Sequence, residues 1–266
     1  MVQFILFPGF GMYKYTWSLD HNLKKINFLN ELKKLGKVYA YTPLFYNINK
    51  YHKINSKHKM YKHQKLYGNN IKFDLDYLDV KKHCKMIYDK IREKTDDKIV
   101  VIGHSIGSLF CYHFSKMYKD ECLFSVVIDG MLLGKQGIED HKKYIKQYNK
   151  YKNTTDCDLY DFQTKIKKDR NDKDISELFN IVQVLLKNQI PDRITKFPIK
   201  TVYFKNLEMD DKDKKHIKLQ IEEMENYEKN DNLFQGIYFV NKTHYLHYNK
   251  KCSDIIIEKI KCMLKN

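Results

Sequence analysis

Ile99-Val100-Val101-Ile102 runs directly into Gly103-His104-Ser105-Ile106-Gly107, and the next residues, 108–117, contain neither Gly nor Pro. A short β-branched run of this kind reads as a buried strand. The apolar groups that follow the second glycine recur at helical spacing. A chain so written must turn sharply from strand to helix with a serine at the apex. That serine has to hold a strained backbone angle so that its hydroxyl stands above the sheet edge. At Gly103 and Gly107 strand and helix nearly touch, and only a residue without Cβ fits. The first turn of the new helix leaves N–H groups unpaired, aimed at any negative oxygen that forms beside the serine.

The pattern is G-x-S-x-G in strand–turn–helix context, a nucleophile elbow. The alternative is an ordinary βα turn in which Ser105 caps the helix. A catalytic serine requires a base and an orienting acid elsewhere in the chain.

The chain of 266 residues accommodates one sizeable α/β domain with an insertion. No apolar run approaches the length of a transmembrane helix. Residues 1–9 lack a basic n-region and reach Pro8-Gly9 quickly, so they read as a first core strand and a turn rather than a signal peptide. The six cysteines form no C-x-x-C pair, so reduced core thiols are expected and no metal site. With no secretion signal, this predicts a cytoplasmic protein. The net charge of +16 suggests an anionic partner. Abundant Lys, Asn, Ile and Tyr with four prolines is equally the residue usage of an A/T-rich genome.

Strand-like runs occur at 2–7, 38–41, 98–102, 123–128, 199–204 and 236–240, with helical patterns at about 20–35, 75–94, 105–119, 212–228 and 252–264. This alternation predicts an α/β fold, a mostly parallel sheet of about six strands with helices on both faces. In such sheets the site lies at the carboxyl ends of the strands. From Gly134 to about Lys196 no strand signal occurs, while Leu178, Phe179, Ile181, Val182, Leu185 and Leu186 recur at helical spacing. The expected organisation is therefore a core of 1–133 and 197–266 with a helical cap inserted at 134–196. A second irregular stretch, 47–70, is rich in Lys, His and Tyr. It lies within a span, Leu32 to Phe73, that contains no Asp or Glu. It reads as a solvated loop, or as a basic surface with Tyr51, Tyr61 and Tyr67 as stacking groups.

The last strand ends in Asn241-Lys242-Thr243-His244-Tyr245-Leu246-His247, just before the final helix. His244 comes first after the strand end, at the same sheet edge as Ser105, and is the expected base; His247 is the alternative. The acid is expected on the loop after the preceding strand, where Glu208 and Asp210 are not separable by sequence. Asp211 and Asp213 read as helix caps. Asp129, at the end of the strand after the elbow helix, is a lesser option. Two backbone donors must converge on the oxyanion. One is the N–H of Ile106, and the other is expected from Phe10, in a loop where Gly9 and Gly11 allow close approach. Gly9, Gly11, Met12 and His104 are the expected substrate contacts.

With these residues placed, the chain resembles the α/β-hydrolase superfamily over nearly its whole length. Pro8-Gly9-Phe10 looks like the family's oxyanion loop, Gly103–Gly107 like its nucleophile motif, and Thr243-His244-Tyr245-Leu246-His247 like its histidine motif. Trp17, eight residues past Gly9, is similar to the capped esterase and lipase-like branch. Three departures stand out: the two leading strands are absent, Pro8 replaces a histidine, and the acid loop lacks a Gly-x-x-Asp form.

The resemblance implies hydrolysis of a carboxylic ester or thioester by a Ser-His-acid triad, with no cofactor and a small or lipid-like acyl substrate. Phe10, Met12, Tyr13 and the 178–186 helix would wall the acyl chain. A serine nucleophile argues against epoxide hydrolysis, which in this superfamily uses an aspartate. Two other readings compete: a non-catalytic binding protein on the same fold, and a binder of nucleic acid or an anionic surface through residues 47–70. No nucleic acid is required by the first reading.

Overall fold

The computed structural model describes residues 1–9, 17–18, 25–41, 47–48, 71–72, 79–130, 196–207, 214–240 and 244–265. By backbone contacts the chain divides into two compact units. One comprises Met1–Pro43, Val80–Leu133 and Pro191–Asn266; the other comprises Leu44–Asp79 and Gly134–Ile190.

The larger unit is built on strands β1 (Gln3–Phe7), β2 (Lys37–Ala40), β5 (Ile99–His104), β6 (Cys122–Ile128), β7 (Thr201–Leu207) and β8 (Phe234–Val240). They form a six-stranded sheet in the order β2-β1-β5-β6-β7-β8, and every neighbouring pair is parallel. The expected mostly parallel sheet is thus parallel throughout. Parallel neighbours need crossovers; among the described residues α1 (Phe28–Leu35), α2 (Val80–Arg92), α3 (Gly107–Met117) and α4 (Lys214–Asn230) lie between successive sheet strands, and α5 (Lys250–Lys265) follows the last one.

Period-two alternation sorts the strand side chains between the two faces. Phe4, Leu6, Val100, Ile102, Val126, Ile128, Val202 and Phe204 join Phe28 and Leu32 of α1 and Ile256 and Ile260 of α5 in one core. On the opposite face Phe7 stacks on Phe110 of α3, with ring centroids 5.4 Å apart. With both faces covered, most strand positions are apolar, which is why these strands read as apolar runs. Trp17 is fully buried, 5.8 Å from the Phe28 ring and 4.8 Å from the His247 ring.

Two local expectations change. Of the helix predicted from about residue 20, residues 19–24 lie outside the described ones, and 25–27 are not helical: α1 begins at Phe28, and Ile26 N–H donates to Ser18 O (2.9 Å). Within the smaller unit, residues Asn47–Ile48 (β3) pair antiparallel with Ile71–Lys72 (β4), where the sequence suggested only irregular chain. Strands of two residues carry no periodicity for a sequence pattern to reveal. Residues 49–70 and the expected cap, 134–195 of it, lie outside the described residues. Among the described residues no helix is long and apolar enough to cross a membrane.

Candidate active site

The order β2-β1-β5 reverses direction at β1, so β1 and β5 flank the point where crossovers diverge to opposite sides of the sheet. Ser105 sits there, directly after β5, with φ 52°. For a residue with a Cβ that conformation costs about 1–2 kcal/mol. Packing around the turn imposes it. A Cβ on Gly103 would lie 2.5 Å from Gly107 O and 2.6 Å from Cys111 Sγ. One on Gly107 would overlap Phe7 O and lie 2.8 Å from Pro8 O. The elbow is thus pressed onto the end of β1, and its two glycines are required by contact.

Ser105 N–H donates to Ile128 O (3.0 Å), tying the elbow to the last residue of β6. Ser108 Oγ donates to Ser105 O (2.6 Å), so the serine that caps a backbone carbonyl here is Ser108. Ser105 itself is partly exposed, between buried His104 and Ile106. Ile106 is the N-cap of α3, where N–H groups lack intrahelical partners. Gly9, two residues past β1, is buried. Phe10, Gly11 and Met12 lie outside the described residues.

His244 follows β8 by four residues, and its Nδ1–H donates to Asp129 Oδ2 (2.7 Å). Asp129 is the carboxylate that the sequence ranked behind Glu208 and Asp210. Those two, with Asp211 and Asp213, lie outside the described residues. A carboxylate on Nδ1 fixes the tautomer whose Nε2 is free to accept a proton.

Asp129 directly follows β6 with φ 42°. Its N–H donates to Phe204 O (2.6 Å), while its Oδ1 accepts from Asn206 N–H (3.2 Å) and lies 2.9 Å from Lys205 Nζ. Burial raises the cost of charging this carboxyl; the His244 hydrogen bond and the Lys205 ammonium more than offset it and hold it below the ordinary range. Gly130 secures the turn. A Cβ there would overlap Val127 Cγ1 and come within 2.7 Å of Ser108 Cβ, and its carbonyl accepts from the Tyr203 hydroxyl.

His104 joins the two halves of the site. Its Nε2–H donates to His244 O (2.9 Å), and its ring lies 4.6 Å from the His244 ring and 4.9 Å from that of His247. Burial first, then the two neighbouring imidazoles, push His104 well below its ordinary pKa, so it stays neutral. It is a strut inside the protein, buried where the sequence expected a substrate contact. His247 is buried against Trp17 and Phe28. Among the described residues no group of three or more His, Cys, Asp or Glu side chains could hold a metal ion.

The sequence matches no protein-family model and no curated protein. The structure superposes on several solved enzymes. A structure from a study of carboxylesterases of Nitrososphaera gargenis aligns with TM-score 0.55 at 12% identity, over 99% of this chain and 91% of that one. The RedJ thioesterase of Streptomyces coelicolor aligns with TM-score 0.54 at 10% identity, over 98% and 90%. An epoxide hydrolase of Bacillus megaterium aligns with TM-score 0.56 at 10% identity, over 100% and 93%. This chain has the α/β-hydrolase fold. In this α/β-hydrolase fold β1 leads into Pro8-Gly9. The three neighbours carry different hydrolytic names, so the choice among such chemistries rests on this chain's own residues.

Proposed function

We propose that this protein is a serine hydrolase that cleaves a carboxylic ester or thioester of a small or acyl-chain substrate. Ser105 is the nucleophile, His244 the general base and Asp129 the acid. The observation that carries the reading is the buried Asp129 carboxylate on His244 Nδ1 (2.7 Å), in a protein whose Ser105 holds φ 52° at a strand-to-helix turn. His244 takes the Ser105 proton as Oγ attacks the carbonyl carbon. Ile106 N–H and Phe10 N–H hold the oxyanion, each donor contributing roughly 2.7–4 kcal/mol to the transition state. His244 then protonates the leaving alkoxide or thiolate, leaving an acyl-Ser105. Water deprotonated by His244 releases the acid and restores the serine. The α/β-hydrolase fold of the neighbours supports hydrolysis in general, and Ser105 at the elbow favours an acyl-enzyme over an epoxide-opening aspartate.

In this reading segment 134–196 is the cap. The substrate is a small molecule; the positive charge is compositional. Pre-steady-state hydrolysis of chromogenic esters of increasing acyl length tests the reading. A burst stoichiometric with protein, lost in Ser105→Ala, is expected. Folded protein that turns over no ester, yet binds nucleic acid in a salt-sensitive way that survives Ser105→Ala, would favour the basic 47–70 segment instead.

A further inference from the structure

The two oxygens of Asp129 are engaged separately. Oδ2 accepts from His244 Nδ1–H, and Oδ1 accepts from Asn206 N–H and faces Lys205 Nζ at 2.9 Å. Lys205 follows Val202-Tyr203-Phe204 in β7 and is mostly buried, its side chain 17% exposed. Its place follows from register. Ile128 pairs with Phe204, so Asp129 and Lys205 are the next residues on adjacent parallel strands. Other groups facing the carboxylate are His244 from the loop after β8, neutral His104 from the end of β5, and no second carboxylate among the described residues.

We propose that Lys205 is a positioning residue of the Ser105–His244–Asp129 machinery, one that locks Oδ1 so that Oδ2 is presented to His244, and that limits the negative charge the imidazole experiences. The proposal rests on the serine-hydrolase reading and adds a residue that the reading does not need. Its consequences are directional. The ammonium holds Oδ1 from the side opposite His244, so the carboxylate cannot turn away from the imidazole. The ammonium also keeps the buried carboxyl ionised.

The test uses the full chain with Lys205→Gln, which keeps a donor and removes the charge, and Lys205→Arg, which keeps the charge. The rate of fluorophosphonate labelling should fall about ten-fold in Lys205→Gln and be restored to within about two-fold of wild type in Lys205→Arg. An unchanged rate in Lys205→Gln, or no rescue by Lys205→Arg, overturns the proposal. A 13C titration of the Asp129 carboxyl needs no catalysis: it should move upward in Lys205→Gln, and an unchanged titration overturns the proposal. Wild-type protein that does not label sinks the hydrolase reading by itself and leaves the carboxyl titration to decide on Lys205. If Lys205→Gln does not fold, Lys205→Met, which keeps the aliphatic stem and removes the charge, carries the same two expectations and the same overturning results.

Discussion

Ser105 and Asp129 end adjacent strands and share a left-handed backbone, with φ 52° and 42°. His104 pairs with Ile128 across β5 and β6, and Ser105 N–H donates to Ile128 O, so the two strained residues leave the sheet side by side. The same strand ends that lift the serine hydroxyl deliver the carboxylate that meets His244. Each left-handed residue costs about 1–2 kcal/mol relative to ordinary backbone, and close packing at Gly103, Gly107 and Gly130 sustains it.

Strain at Ser105 makes Ser105→Gly and Ser105→Ala differ in stability though both remove the nucleophile. Relief of the Cβ cost, less the extra unfolded-state entropy of glycine of roughly 0.5–1 kcal/mol, should leave Ser105→Gly more stable than Ser105→Ala by about 0.5–1 kcal/mol. Denaturant unfolding of the two variants measures it.

Gly107→Ala drives a methyl into Phe7 O and Pro8 O, which are backbone atoms at the end of a central strand. They have little room to give, so a loss of about 1–3 kcal/mol is expected, with reduced esterase activity from the displaced elbow. A melting temperature equal to wild type would mean that β1 and α3 yield more readily than their contact implies.

The acid assignment predicts a sharp contrast among carboxylates. Asp129→Asn should lower ester turnover by about 10⁴-fold, as expected when the imidazole loses the partner that fixes its tautomer. Glu208→Gln and Asp210→Asn should keep turnover within a few-fold of wild type. A large loss in either of these, with Asp129→Asn active, would move the acid to the loop after β7.

Most of the sheet was legible because both faces are covered. Runs such as Ile99–Ile102 and Val126–Ile128 are apolar at successive positions, and each matched strand lies within three residues of its sequence bounds. The elbow was legible because its two glycines answer a steric demand local to five residues. The Asp129–His244 pair was not, since chain order permits an acid after either β6 or β7. The choice depends on which strand tip approaches the loop after β8. A local signal did exist: Asp129-Gly130 is an acid that tolerates left-handed backbone followed by a residue without Cβ. Lys205 within β7 was the second signal, and its meaning emerges only when register sets it beside Asp129.

The depressed carboxyl of Asp129 carries a stability signature of defined sign. Its folded value lies below its unfolded one, so its contribution is fully present above the unfolded pKa of about 3.9 and is lost as pH falls through the folded value. The stability difference between wild type and Asp129→Asn should therefore be level from about pH 5 down to about pH 4 and narrow below that. A difference that widened on acidification would contradict an ionised, paired Asp129.

Covalent labelling of the full chain with a fluorophosphonate probe, read by intact mass and peptide mapping, tests the central claim most directly. The account predicts one adduct per chain on Ser105, absent in Ser105→Ala and nearly absent in His244→Ala and Asp129→Asn. A folded wild-type protein that takes up no probe, or takes it up at another residue with Ser105→Ala unaffected, would contradict an activated serine at the elbow.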